Sequence, residues 1–184
     1  MTKIERLLLY LDANPLRTVA ACEPNPGHRV IAEVQRQKPS TVIITQNIDG
    51  MHQRAGAADV VELHGGLWRV RCDAETIVRA EHSVPMDPRK CSCGAHWRPD
   101  IVWFEDQLDH RNLGRAREAL EACDLLVTVG TSGVVYPAAD LPRLAMKRAL
   151  TVEVKRRWVE DTPVSALYHQ RLRGAASEIL TSMC

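Results

Sequence analysis

The residues best suited to chemistry lie in one stretch, Thr41 to Gly65, TVIITQNIDGMHQRAGAADVVELHG. Its β-branched run, Val42-Ile43-Ile44, reads as a buried parallel strand because neither face is polar. The run ends in Thr45, Gln46, Asn47 and Asp49, then Gly50, so amides and a carboxylate gather at the carboxyl end of a strand. Open α/β sheets put their ligands there. Asn and Asp side chains hold hydroxyls and carboxamides through directional hydrogen bonds. A second short strand, Val60 to Leu63, delivers His64 ahead of Gly65-Gly66. An imidazole, with an unperturbed pKa of about 6.5, is largely neutral at pH 7 and can accept a proton. The same residues also read as a solvated turn with His64 on the surface.

Two further groups carry chemistry. Gly130, Thr131 and Ser132 come straight after the apolar run Leu125–Val129, where small residues let backbone approach a ligand while hydroxyls and N–H groups hold phosphate or ribose oxygens. Such turns are common, and alone this one is weak evidence. Cys72, Cys91 and Cys93 are the second group. A tetrahedral zinc site of two Cys-x-x-Cys pairs needs four thiolates, but Glu75 stands where the partner of Cys72 would be. His82, His96, Asp73 and Glu75 are candidates for a fourth ligand. A module without metal and a rebuilt three-cysteine site both remain open. Cys22, Cys123 and Cys184 read as isolated.

The motifs resemble those of one family, the sirtuins, NAD-dependent protein deacylases. TQNIDGMHQRAG (45–56) and ELHG (62–65) are similar to the family's two central motifs, RPDIVWFED (98–106) to its substrate-binding segment, and VGTSGVVYPAA (129–139) to its late nucleotide-binding loop. EPNPGH (23–28), and TP and RG near the C-terminus, fit as well. The likeness runs from about Tyr10 onward.

The resemblance implies an enzyme that moves an acyl group from lysine to ADP-ribose with release of nicotinamide, acting on acylated lysine peptides or proteins. His64 matches the general base that deprotonates a ribose hydroxyl. Gln46, Asn47, Ile48 and Asp49 match residues around the ribose and nicotinamide. Gly130, Thr131 and Ser132 match the nucleotide loop. Lys155 replaces the family's Asn near the adenosine ribose, where a lysine could still meet a phosphate. Val102, Trp103 and Phe104 match the segment that pairs with substrate as an added strand and walls the acyl-lysine tunnel. Glu105-Asp106 stands where the family has Gly-Glu. Tyr10 falls where some relatives grip an acidic acyl chain with a Tyr and an Arg, but the Arg position is Ala13, and Tyr10 also reads as simple packing. Zinc is the metal implied for the cysteine module.

These groups must be positioned by alternating strands and helices. Helix is expected over His28–Gln37, Asn112–Ala122 and Pro137–Ala149, strand over Leu67–Val70, Leu125–Val129 (fully buried) and Leu150–Val154. Residues 1 to 17 suggest a short amphipathic helix ended by Pro15. The fold expected is α/β, an incomplete Rossmann-like parallel sheet with helices on both faces, forming one domain over 1–184. A small module of about 71–98 is inserted in it. That module is polar and short of core residues, so a structural metal could supply what packing does not.

The family begins with a glycine-rich strand-loop-helix, and no such cluster precedes Gly27. Lack of that central strand predicts uncovered apolar surface on both neighbouring strands. It also raises three alternatives, an enzyme, a non-catalytic binder of acyl-peptide or nucleotide, or an unfolded remnant of a gene, and a diverged relative could recruit a partner to complete the missing part. Composition excludes other classes. With 24 Lys plus Arg against 23 Asp plus Glu and no basic block, a nucleic-acid surface is not indicated. No apolar run spans a membrane and residues 1 to 17 lack a secretory signal, so a cytoplasmic protein without a disulfide framework is expected.

Overall fold

The computed structural model describes residues 15–85, 89–103 and 106–183. The chain divides into two compact units, one of Met1–Glu23, Asn47–Met51 and His64–Gln107, the other of Pro24–Gln46, His52–Leu63 and Leu108–Cys184. The described strands are β1 (Ile43–Thr45), β2 (Val60–Glu62), β3 (Gly65–Cys72), β4 (Ile77–Ala80), β5 (Arg98–Ile101), β6 (Leu125–Val129), β7 (Leu150–Lys155) and β8 (Gln170–Arg173). They form a parallel β1–β2 pair, an antiparallel sheet in the order β4-β3-β5, and a parallel sheet in the order β6-β7-β8.

The second unit holds both parallel sheets. Side chains alternate between the faces of a strand, and the β1–β2 pair is covered on both. Val61 and Leu63 pack with Ala116 and Leu120 of the helix His110–Ala122. Ile43 and Val60 pack with Ala32 of the helix Pro26–Gln37 and with Ala57. Double coverage explains why these strands are apolar without alternation.

Buried Gln35 pins the starts of both strands. Its Nε2 donates to the carbonyls of Thr41 (3.0 Å) and Asp59 (2.7 Å), and its Oε1 accepts from the N–H groups of Ala58 and Asp59. The helix bearing Gln35 starts two residues earlier than expected, because Asn25 accepts from the His28 N–H and Pro26 fills the first position, where no N–H is needed.

Two other expectations are corrected. Leu125 is 53% exposed and the rest of β6 only half-buried, because among the described residues β6 has a ladder with β7 alone. The parallel strands therefore lie in two pieces, with apolar surface left open at Leu125 and Val42. The helix expected over Pro137–Ala149 is a 3-10 turn, Ala138–Asp140, followed by a short helix, Pro142–Ala145. Pro142 has no N–H to continue the turn before it and instead opens the next helix. Pro15 begins a helix, Pro15–Ala21, and the amphipathic helix expected ahead of it lies outside the described residues.

The first unit is built on β3. Leu67 and Leu16 are buried beside Ile48, Trp68 and Ile101. Farther along β3 the buried cluster is small, Val70, Cys72, Cys91 and Trp97. Among the described residues, no helix is long and apolar enough to cross a membrane.

Candidate active site and metal centre

In the first unit, Asn47, Ile48 and Asp49 form a loop held against β3. The Leu67 N–H donates to the Ile48 carbonyl (2.8 Å), and the Trp68 indole N–H donates to the Asp49 carbonyl (2.8 Å). The Asp49 carboxylate turns inward on its own loop, accepting from the Met51 N–H at 3.0 Å. Gly50 has φ +72°, and a Cβ there would lie 2.7 Å from Trp68 Cδ1, so only glycine lets the loop pass the indole. Trp68 also stacks on His82, ring centres 5.9 Å apart. The sequence reading missed Trp68, whose partners lie far away in the chain.

His64 sits half-buried at the turn into β3. Its carbonyl accepts from the Val102 N–H at 3.0 Å, and Gly65 pairs with Ile101, so the β3–β5 ladder sets Val102 beside His64. Val102 and Trp103 are half-buried, while Tyr10 and Phe104 lie outside the described residues. Asp106 folds back under this segment. It accepts from Arg98 (2.8 Å) and the Trp103 N–H (3.3 Å), and its own N–H donates to the Trp103 carbonyl (3.0 Å). Partial burial works against the Asp106 carboxylate, but the bonds from Arg98 and Trp103 prevail and hold its pKa below the ordinary value. Arg98 was not singled out from sequence, and Asp106 only as a departure from the family's Gly-Glu, although both stand in the RPDIVWFED motif.

In the second unit, the loop after β6 is shaped by Thr131. Its Oγ1 accepts from Gln46 Nε2 (3.2 Å) and the Gly133 N–H (3.4 Å), leaving its own hydroxyl proton as a donor. Gly130 and Gly133 have φ +65° and +68°, and a Cβ on Gly130 would meet nothing within 4 Å. Ser132 is exposed between them. A turn with open space over a glycine and two hydroxyls fits the oxygens of a nucleotide.

The structure gives Lys155 a different role from the phosphate contact expected. Its side chain is 1% exposed, with Nζ 3.0 Å from Glu153 Oε1 and donating to Ser165 Oγ at 2.9 Å. Ser165 in turn donates to Glu153 (2.8 Å) and accepts from the Thr162 N–H (3.1 Å), and Arg173 stands 3.7 Å from Glu153 Oε2. The ammonium is held by these buried partners. Glu153 and Lys155 are two apart in a strand and so share a face, a signal the sequence did contain.

The three cysteines predicted as ligands converge in the first unit. Their sulfurs all lie within 4.8 Å of one another, with Cys72 and Cys93 3.6 Å apart. Thiolates around tetrahedral zinc, with bonds of about 2.3 Å, are separated by about 3.8 Å. Burial disfavours a thiolate at Cys72, but hydrogen bonds from the Glu75 and Ala74 backbone and from the Cys93 and Cys91 thiols outweigh it and lower its pKa. A backbone bond from Ala95 favours the thiolate of Cys93, but burial and the bonds to Cys72 and Cys91 push that thiol up, so it is the convergence of three sulfurs that suits a soft divalent ion. The residues fit zinc.

The profile of the Sir2 family matches residues 9–137. The chain belongs to the Sir2 family. It is 40% identical over 163 residues to an NAD-dependent protein deacylase of Aquifex aeolicus, covering 86% of this chain and 67% of that protein. It is 44% identical over 173 residues to one of Mycolicibacterium paratuberculosis, covering 90% and 71%. The chain thus spans about two thirds of the length of these Sir2 relatives. Its fold superposes on a Sir2 homologue solved as an ADP-ribose complex, with TM-score 0.90, 34% identity and coverage of 98% of this chain and 73% of the other. A Sir2 protein bound to acetylated peptide gives TM-score 0.80, 27% identity and coverage of 90% and 71%. The Rossmann-like α/β fold of the family is therefore the fold of this chain.

Proposed function

We propose that this chain is an NAD-dependent protein-lysine deacylase that transfers an acyl group from lysine to ADP-ribose and releases nicotinamide. One observation carries the reading: the Asn47–Asp49 loop is fastened to the strand that begins beside His64, through Leu67 to Ile48 and Trp68 to Asp49. Amide, carboxylate and imidazole thus belong to one rigid piece of backbone, as general-base catalysis requires. The Sir2 relatives named as NAD-dependent deacylases, and those solved with ADP-ribose and with acetylated peptide, support it.

NAD, when bound, supplies an electrophilic ribose carbon and a good leaving group, nicotinamide. Asn47 and Asp49 orient its ribose hydroxyls and carboxamide, and Ile48 gives that pocket an apolar wall. The His64 imidazole accepts the proton of a ribose hydroxyl, which makes that oxygen a nucleophile. Val102 and Trp103 bind acylated peptide along the backbone, in register with the ladder that ends at His64. Gly130, Thr131 and Ser132 hold nucleotide oxygens through N–H and O–H donors, with Gln46 fixing the Thr131 hydroxyl.

The test is incubation of the purified chain with NAD and an acetyl-lysine peptide. Nicotinamide and deacetylated peptide should appear in equal amounts, and His64→Ala should reduce the rate by about 10²- to 10⁴-fold, the usual contribution of a general base. Calorimetric binding of the peptide with no nicotinamide release, in a chain with a cooperative thermal transition, would replace the enzyme by an acyl-peptide binder.

A further inference from the structure

Three sulfurs do not close a structural zinc site, since tetrahedral structural sites take four protein ligands and leave no open position. The remaining donor must come from the residues around Cys72, Cys91 and Cys93. Asp73 is engaged by two guanidinium groups, Arg71 at 2.8 Å and Arg98 at 3.2 Å. His82 lies flat against Trp68. His96 is tied through its backbone to Lys90 in an isolated bridge, a pairing that does not engage its imidazole.

Of these candidates, Glu75 brings its carboxylate against the cluster. Its Oε2 lies 3.3 Å from Cys91 Sγ. Its backbone N–H is also directed at Cys72 Sγ. Three residues after Cys72, it stands at the Cys-x-x-Cys position where a second thiolate would normally be. One residue therefore touches two of the three sulfurs, with its backbone on one and its carboxylate on the other.

We infer that Glu75 is the fourth ligand, and that this lobe binds one zinc ion through three thiolates and one carboxylate. The charge arithmetic supports the exchange. Three thiolates and a carboxylate carry four negative charges, as four thiolates do, so zinc leaves the same net charge of about −2 in either set. What changes is softness. An oxygen ligand makes the site less selective for thiophilic ions than an all-sulfur site. The dependence of this lobe on metal follows from its packing, because its described buried cluster contains only Val70, Cys72, Cys91 and Trp97. Two of those four are ligands, so without metal the lobe would bury cysteines in place of a core.

The inference is independent of deacylase activity and is tested without it. The full chain is loaded with zinc for elemental analysis and X-ray absorption, and with cobalt(II) for its visible spectrum. One metal per chain is expected, with three sulfur neighbours at about 2.3 Å and one oxygen at about 2.0 Å. Glu75→Gln, nearly isosteric, should lose metal to a competing chelator at least about tenfold more readily, the low end of what even an outer-shell partner contributes. Glu75→Cys should raise the sulfur count to four and strengthen the sulfur-to-cobalt charge-transfer band by about a third, as the thiolate number rises from three to four. A gain on Glu75→Cys cannot come from a variant that fails to fold. A metal content near zero in the wild-type chain overturns the inference. So does an unchanged chelator resistance and cobalt spectrum in Glu75→Gln.

Discussion

Trp68 donates its indole N–H to the main-chain carbonyl of Asp49 at 2.8 Å, and Leu67 donates to Ile48 at the same distance. Two segments separated by the whole of β2 are thereby joined as one piece. The loop that offers Asn47 and Asp49 keeps its place because an aromatic side chain, not only a strand, stands behind it. Trp68→Phe should keep most of the packing and lose the hydrogen bond, costing about 1 kcal/mol. Trp68→Ala should cost about 3–5 kcal/mol. Urea unfolding measures both. If catalysis depends on this support, turnover at saturating peptide falls in Trp68→Phe by more than the loss of folded protein explains. Equal turnover per folded molecule would show that the loop does not need the indole.

Gly65 gives a sharper geometric prediction. At φ +74° its Cβ would fall 2.0 Å from the Asp100 carbonyl oxygen, which is backbone and cannot rotate away. Gly65→Ala must part β3 from β5 where His64 and Val102 meet. The left-handed conformation alone costs a residue with a side chain about 1–3 kcal/mol, and the clash adds to it. The melting temperature should drop clearly, with a weakened grip on acyl-peptide in calorimetry. An alanine variant as stable as the parent would mean that this close approach does not exist in solution.

Much of the fold was legible in the sequence because its strands are short β-branched runs ended by polar or glycine residues. Ile43–Thr45, Val60–Glu62 and Leu150–Lys155 lie where those runs lie. The site loops were legible for the same reason, since Asn47, Asp49 and His64 directly follow strand ends. What was not legible depends on partners distant in sequence. Nothing around Trp68 tells that its N–H meets Asp49, nor does Asp106 announce that Arg98 draws it under Trp103. The exposure of Leu125 depends on what lies beside β6, which the pattern of the strand itself cannot encode. Lys155 was expected near a phosphate from the family position it occupies, and the opposite charge of Glu153 on the same strand face was not weighed.

That ion pair yields its own prediction. Both side chains are almost fully buried, 1% exposed for Lys155 and 4% for Glu153. Lys155→Met leaves a buried carboxylate whose nearest remaining cation is Arg173 at 3.7 Å. Breaking such a pair from one side typically costs about 3–5 kcal/mol, whereas replacing both partners by apolar residues is often neutral. Lys155→Met should therefore be much less stable than Glu153→Leu/Lys155→Met, and denaturant melts of the single and double variants decide it. A double variant no better than the single would mean that the charges are held apart by solvent. Nucleotide binding per folded molecule should survive in the double variant if the ammonium serves only its buried partners Glu153 and Ser165.

Asp106 links the substrate-binding segment to pH. Partial burial alone would raise its pKa, but Arg98 and the Trp103 N–H prevail and lower it from the ordinary 3.8. A carboxylate whose folded pKa lies below its unfolded value adds stability that is fully present above about 3.8 and is lost as the pH falls through the folded value. Its side chain is 38% exposed, so the contribution is screened and stays below about 1 kcal/mol. Asp106→Asn removes the negative charge that Arg98 pairs with and one of the two acceptor oxygens, while keeping the size of the side chain. The wild-type chain should exceed the variant in unfolding midpoint near neutral pH, and the two should converge as the pH drops below about 3.8. A constant gap across that range would show that the Arg98 bond does not depend on ionised Asp106. Acyl-peptide affinity near neutral pH should fall in Asp106→Asn as well, since the Trp103 N–H donates to that carboxylate.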